Sequence, residues 1–385
     1  MTVQTSPGQT SPGPRTAREI ACVERPASVA DVDQARYFEA NPDVARSGQS
    51  AAEHFARHGQ AEGRIQYVNA AQVAAMRDAK LARLRFRRAP RVPRAPGRPI
   101  DFLTAGVVAE FDIPDAPPVS ANQYGGPFIE EIAAHPERLC LDVGAGLRYG
   151  YAENVVNTEI YASISTDVLC VGEDMPFEDA QFDYVICAAV LEHTRRPWDV
   201  AREICRVLRP GGRILIDWPF LQGVHGYPHH YYNATPQGLI SLFDECCDIV
   251  SSTIEPNNHP MHGIWWVLRA WRLGLPEPEQ RAFDALTIGG LLAAPVERHL
   301  GEPYCTAISQ EMLRTIPAGS TLIARRKEGH GTAGEADAVD PGNPARQGDA
   351  ARIAALEDEV ALLRTSRSWR LTAPLRAIGR GLGRR

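Results

Sequence analysis

Leu139-Cys-Leu-Asp-Val-Gly-Ala-Gly146 decides the fold. Its apolar run, Leu139 to Val143, carries one acid, Asp142, and ends in two glycines one residue apart. A buried parallel strand looks like this where it turns sharply into a loop that lets a ligand approach the backbone. Two further apolar runs follow at α/β spacing, Phe182 to Val190 and Gly212 to Asp217. Between them Pro197 to Leu208 reads as a helix, with Val200, Ile204, Val207 and Leu208 on one face, stopped by Pro210-Gly211-Gly212. Strand, helix and strand with short connections make a parallel sheet with helices packed on it.

A dinucleotide site is disfavoured. Leu147, Arg148 and Tyr149 follow Gly146, so no third glycine brings a helix against a pyrophosphate. Four words in order give a more specific signal: Leu141-Asp-Val-Gly-Ala-Gly146, Met175-Pro-Phe-Glu-Asp-Ala-Gln-Phe-Asp183, Val190-Leu-Glu-His193 and Arg206-Val-Leu-Arg-Pro-Gly-Gly212. They resemble the successive motifs of class I S-adenosylmethionine-dependent methyltransferases, in the branch often called type 11. The resemblance runs over roughly residues 120 to 327.

The resemblance implies a Rossmann-like α/β sheet with helices on both faces, and S-adenosyl-L-methionine as cofactor. It places Asp142 near the methionine end of that cofactor, with Gly144 and Gly146 letting the backbone approach. Val155 to Ile160 reads as the second strand, and its terminal Glu159 is suited to the ribose because a carboxylate accepts from both hydroxyls. The loop before it is short, which leaves Asp167 as the alternative. Asp167 to Val171 reads as the third strand, and beyond it Glu173 or Asp174 is implied to meet the adenine amino group. Met175 is implied to lie against the ring, where a soft thioether suits a flat aromatic face.

The chemistry is expected after the fifth strand. His225-Gly-Tyr-Pro-His-His-Tyr-Tyr232 packs three histidines and three tyrosines into eight residues at a strand's C-terminal end, where open α/β sheets bind ligands. Methyl transfer from a sulfonium needs the acceptor positioned and, for a hydroxyl, its proton removed. Histidine is the natural base near neutral pH, which makes His225 and His229 the candidates and His230 the third. The bland alternative is that these rings only order the loop. A metal held by His225, His229, His230 and Asp217 is chemically conceivable, but the branch is largely metal-independent and no metal is assigned. His193 reads as structural or cofactor-proximal.

Ile249 to Ile254 reads as a sixth strand and Ser320 to Arg326 as a seventh. Between them residues 257–318 read as a helical lid over the acceptor site, since so long an insertion in a compact domain is usually functional. Trp265, Trp266 and Trp271 stack on sugar rings, bury as core or meet a membrane surface; core is the default for two of them.

The flanks read as separate pieces. Residues 1–28 look disordered, and 29–68 form a small helical module. Residues 69–100, rich in arginine, read as a solvated basic linker, 328–350 as a flexible linker, and 351–385 as a short coiled coil (Ile353, Leu356, Val360, Leu363) with a basic tail. Tyr37 to Val44, His54 to Arg64 and Ser366 to Arg376 resemble segments beside bacterial glycosyltransferases of surface-polysaccharide assembly. Aromatics at Tyr37 and Phe38 are equally explained as the core of a helical hairpin. His54 and His58, one helical turn apart, lack a third metal ligand.

Composition sets the outer bounds. A net charge of −6 gives no global pull toward nucleic acid, and no apolar run reaches the ~18 residues that span a bilayer. The polar, breaker-rich start does not read as a signal peptide, so a cytoplasmic location is expected. The eight cysteines are scattered without a C-x-x-C pair, which indicates neither a zinc site nor a disulfide framework. The expected activity is O-methylation of a sugar hydroxyl in bacterial surface glycan biosynthesis. The alternatives are a small phenol, lipid or amine acceptor, or a non-catalytic scaffold of the same fold. Expected partners are the glycan or small-molecule acceptor, a second copy through residues 353–363, and anionic lipid through the basic tail.

Overall fold

The computed structural model describes residues 18–114, 120–121, 126–226 and 228–319. Its centre is one six-stranded sheet. In chain order the strands are β1 (Ile100–Asp101), β2 (Cys140–Asp142), β3 (Val155–Glu159), β4 (Val168–Leu169), β5 (Phe182–Ala188) and β6 (Leu208–Asp217). Across the sheet they run β6-β5-β2-β3-β4-β1, and every pairing is parallel. This is the Rossmann-like α/β arrangement that the apolar runs imply.

Side chains alternate between the faces of the sheet, and both faces are covered. Leu141, Val143, Val156, Val185 and Cys187 belong to the main core, with Val200, Ala201, Ile204 and Val207 of the helix Pro197–Val207 against them. Cys140, Val155, Tyr184 and Ile186 face the other way, onto Phe128 and Ile132 of the helix Gly126–Ala134. The helix Pro197–Val207 ends one residue short of the expected Leu208, and Pro210-Gly211-Gly212 falls inside the next strand. β6 starts at once, at Leu208, and its register shifts between Leu208 and Arg213 across Gly211, whose φ is +77°.

β1 has no counterpart in the sequence reading, and it changes the reading of the residues before it. The stretch 69–100 is not a solvated linker. Ala70–Leu81 is a helix with Val73, Met76, Arg77, Lys80 and Leu81 buried. Lys80 Nζ lies 2.7 Å from Asp167 Oδ2, and both side chains are sealed from solvent. Arg77 and the hydroxyl of Tyr151 also meet Asp167. Further along, Arg85 pairs with Glu178, Arg87 with Asp174 and Glu203, Arg88 with Asp174, and Arg91 with Asp101. Apart from Asp101, these acids lie far away in sequence.

The N-terminal segment is also ordered from Arg18 onward, against the expectation of disorder through residue 28. Glu19–Ala21 pairs antiparallel with Gly150–Ala152, and Val23–Glu24 with Gln66–Tyr67. Short helices over residues 34–59 gather around Tyr37, Val44, Ala51 and Phe55. His54 is buried there with Nδ1 3.1 Å from the Tyr37 hydroxyl, so it serves the module's own packing.

Residues 249–254 form no strand; Ile249, Val250 and Ile254 are exposed. Residues 260–315 carry several helices, the longest Pro260–Leu273. A disulfide joins Cys205 to Cys246, with Cα atoms 6.3 Å apart, which the scattered cysteine spacing did not indicate. No helix among the described residues is long and apolar enough to cross a membrane. The expected strand at Ser320–Arg326, the linker 328–350 and the coiled coil and basic tail at 351–385 lie outside the described residues, as do residues 1–17.

Candidate active site

The C-terminal ends of β2, β3, β5 and β6 meet at one edge. Gly144 and Gly146 leave β2 with φ of +65° each, a region that L side chains rarely adopt. A Cβ at Gly144 would come within 2.6 Å of Val190, and one at Gly146 within 2.4 Å of the Ser120 carbonyl oxygen. That carbonyl accepts from Leu147 N at 2.8 Å, so residues 120–121 run directly over the glycine loop. Asp142 is fully buried and paired with Arg148, whose Nη2 lies 2.8 Å from Oδ2.

Glu159 and Asp167 are separated by their surroundings. Asp167 is buried among Lys80, Arg77 and Tyr151 and belongs to the interior. Glu159 stands at the end of β3, where its carboxylate takes Ile160 N at 2.5 Å. Burial pushes its carboxyl up to about 7, with nearby Asp142 adding to the rise and the amides of Ile160, Gly146 and Tyr161 opposing it. The acid at the strand end is therefore Glu159.

Glu173 and Asp174 also part company. Asp174 is taken by Arg87 and Arg88. Glu173 accepts from the amides of Arg195 at 3.1 Å and Arg196 at 3.4 Å, and burial raises its pKa. Met175 is fully buried in the main core.

The histidines form two groups rather than one. His193, His225 and His230 stack edge to face, with centroids 4.9 Å apart for His193 and His225 and 4.5 Å for His225 and His230. His229 points elsewhere, its Nε2 2.9 Å from the Asp112 carbonyl oxygen and 3.4 Å from the Asp112 carboxylate. Only its main chain joins the cluster, by accepting from His193 Nδ1 at 2.6 Å.

The hydrogen bonds fix each tautomer. Asn233 Nδ2 donates to the Gln222 carbonyl, which turns its Oδ1 to His230 Nε2 at 2.8 Å and makes that nitrogen the donor. His230 Nδ1 then accepts from His225 N at 3.2 Å, and both ring nitrogens of His230 are occupied. His225 Nδ1 donates to the Gly223 carbonyl at 3.0 Å, leaving the lone pair on Nε2. His193 likewise keeps its lone pair on Nε2, and His229 on Nδ1. Burial lowers the pKa of His193 to about 4, and the neighbouring His225 and His230 push the same way. His225 is lowered for the same first reason.

Beside them sits Glu192, fully buried, and neither of its carboxylate oxygens has a hydrogen-bond partner among the described residues. Burial raises this carboxyl to about 7, with its own main-chain amide opposing the rise and nearby Asp217 adding to it. The sequence reading left Glu192 out; the Leu-Glu-His word marked its position but not its isolation. Asp217, the suggested oxygen ligand, is held instead by Asn257 and Asn258, each at 2.6 Å.

The helix Pro260–Leu273 closes one side of this edge. Trp266 lies 5.5 Å from the His225 ring, Trp271 donates to the Tyr304 carbonyl, and Trp265 is exposed. Residue by residue, the set suits an adenosyl cofactor in large part. Glu159 and Glu173 offer carboxylates beyond β3 and β4, and the glycines leave the backbone bare. Met175 is buried in the core, and Asp142 is already engaged by Arg148.

Residues 141–216 match the family described as "Methyltransferase domain". An uncharacterized protein of Methanocaldococcus jannaschii is 32% identical over 101 residues, which cover 23% of this chain and 48% of that one. An uncharacterized methyltransferase of Mycobacterium avium is 32% identical over 107 residues, covering 23% and 42%. Among solved structures, the YcgJ protein of Bacillus subtilis shares 15% identity at a TM-score of 0.25, over 40% of this chain and 80% of its own. The chain spans less than half the length of these two curated relatives. Over residues 141–216 the chain is thus similar to methyltransferase domains, and S-adenosyl-L-methionine is the cofactor that such a domain implies.

Proposed function

We propose that this chain methylates a sugar hydroxyl of a bacterial surface glycan or its precursor. The observation that carries the hydroxyl is His229, whose ring is held by Asp112 through Nε2 and keeps Nδ1 free at the ligand edge of the sheet. A base oriented by a third group is the arrangement that proton removal from an alcohol needs. Trp266 beside His225, with the partly exposed Tyr231 and Tyr232, supports a sugar, since aromatic faces suit the C–H faces of pyranose rings. The flanking words that resemble glycosyltransferase-associated segments support the same acceptor class.

In this reading Glu159 holds the cofactor ribose and Glu173 its adenine, while Gly144 and Gly146 leave room along the backbone. Bound there, S-adenosylmethionine supplies a methyl already activated for in-line displacement. The chain's own work is to place the acceptor oxygen, exclude water beneath the helix Pro260–Leu273, and pass the hydroxyl proton to His229.

Calorimetric titration of S-adenosylmethionine into the wild type and Gly144→Arg tests the cofactor half. Saturable binding lost in the variant is expected, because the arginine would collide with Val190 and fill the loop. Absence of binding to the wild type overturns the enzyme reading. Methyl transfer to nucleotide-sugars or glycans, against phenols and amines as rival acceptors, then tests the other half.

A further inference from the structure

We propose that Glu192, His193 and His225 form a binding site for one divalent first-row transition-metal ion such as Zn2+. One donor atom of each lies within 4.8 Å of the others, and Glu192 Oε1 is 3.9 Å from His193 Nε2. Two imidazoles and a carboxylate are a donor set that such ions favour, with positions left open for an outside ligand.

Three independent features point to a ligand rather than to packing. The first is Glu192, fully buried, with both oxygens lacking a hydrogen-bond partner among the described residues. A carboxylate sealed away without donors is costly, and a cation is the partner that would compensate it. The second is the tautomer of the two histidines. Each gives its Nδ1 proton to a main-chain carbonyl, His193 to His229 and His225 to Gly223, so each presents a bare Nε2. Metal-binding histidines are commonly oriented by such outer hydrogen bonds. The third is His230 with Asn233 behind it, a relay that fixes the ring packed against His225.

The site differs from the one the sequence suggested. His229 and Asp217 are engaged elsewhere and His230 has no free nitrogen, whereas Glu192 and His193 enter from the turn after β5. An ion here would offer its open positions to oxygens of the acceptor. That last use rests on the proposed function; occupancy of the site does not.

The full chain, stripped with a chelator and dialysed, is titrated calorimetrically with Zn2+ and separately with Mn2+ and Mg2+. Co2+ is added as a spectroscopic probe. One equivalent of Zn2+ or Co2+ is expected, with a Co2+ spectrum free of sulfur charge transfer. Glu192→Gln and His225→Ala should each weaken binding by about tenfold or more, while His135→Ala leaves it unchanged. Because Glu192 is buried, Glu192→Gln is interpreted only beside an unchanged melting curve, and His225→Ala on the loop carries the test otherwise. Binding equal in His225→Ala and wild type, or binding lost in Cys247→Ser, would place the ion elsewhere and overturn the proposal. So would the absence of any stoichiometric binding. Metal binding without methyl transfer would leave the site standing and count against the proposed function alone.

Discussion

Arg148 folds back over the glycine loop and grips Asp142, with Nε 2.9 Å and Nη2 2.8 Å from the same carboxylate oxygen. Both side chains are at most 5% exposed, so the pair is an interior one. Removing one partner of such a pair leaves a buried charge uncompensated, at about 3–5 kcal/mol. Arg148→Met is expected to lose that much in urea unfolding, and Arg148→Met with Asp142→Asn to recover part of it. A single-variant loss below about 1 kcal/mol would show that water reaches the loop.

The loop glycines give a second expectation. At Gly146 an added methyl meets the Ser120 carbonyl at 2.4 Å, on top of a φ of +65°. Gly146→Ala should therefore destabilise by more than about 1 kcal/mol, the cost of a left-handed alanine alone, and should also weaken S-adenosylmethionine binding. Calorimetry and thermal unfolding of the same sample check both effects, and a neutral variant would mean that residues 120–121 move aside freely.

Glu159 sets a pH dependence with two opposite signs. Its folded pKa, about 7, lies above the ordinary 4.5. The contribution of its protonated form to stability is thus fully present below that ordinary value and is lost as the pH rises through about 7. Cofactor binding runs the other way, because the ionised carboxylate accepts from both ribose hydroxyls. Affinity for S-adenosylmethionine should rise by up to about tenfold between about pH 6 and pH 8, and Glu159→Gln should flatten the curve. A wild-type Kd that ignores pH would remove Glu159 from the ribose.

For catalysis, His229→Gln is expected to lower kcat by about 10²–10⁴-fold with the cofactor Kd unchanged. Asp112→Ala should have a smaller effect, since the Asp112 main-chain carbonyl still holds the ring. Equal kcat in His229→Gln and wild type would pass the base role to His225.

What the sequence made legible was whatever announces itself locally. β2 and β5 lie in apolar runs, and the helix Pro197–Val207 has an apolar stripe and a proline at its start. β1 is two residues long, below any periodicity. The arginine run looked solvated because the acids that neutralise it, Asp174, Glu178 and Glu203, lie some hundred residues downstream. Ile249 to Ile254 had the composition of a strand, but no sheet edge takes it up among the described residues. In the candidate site the residue types were visible, whereas tautomers and the isolation of Glu192 depend on which side chains meet across the fold.

Lys80 and Asp167 are 87 residues apart in the chain. At roughly 5–20 residues per second on the ribosome, the lysine waits about 4–17 seconds for its counter-charge to be synthesised. Until then the helix Ala70–Leu81 has no sheet to cover and β1 has no neighbour, since β4 is made later still. The helix Ala70–Leu81 and β1 are thus a nascent chain's liability, with apolar side chains left uncovered until then.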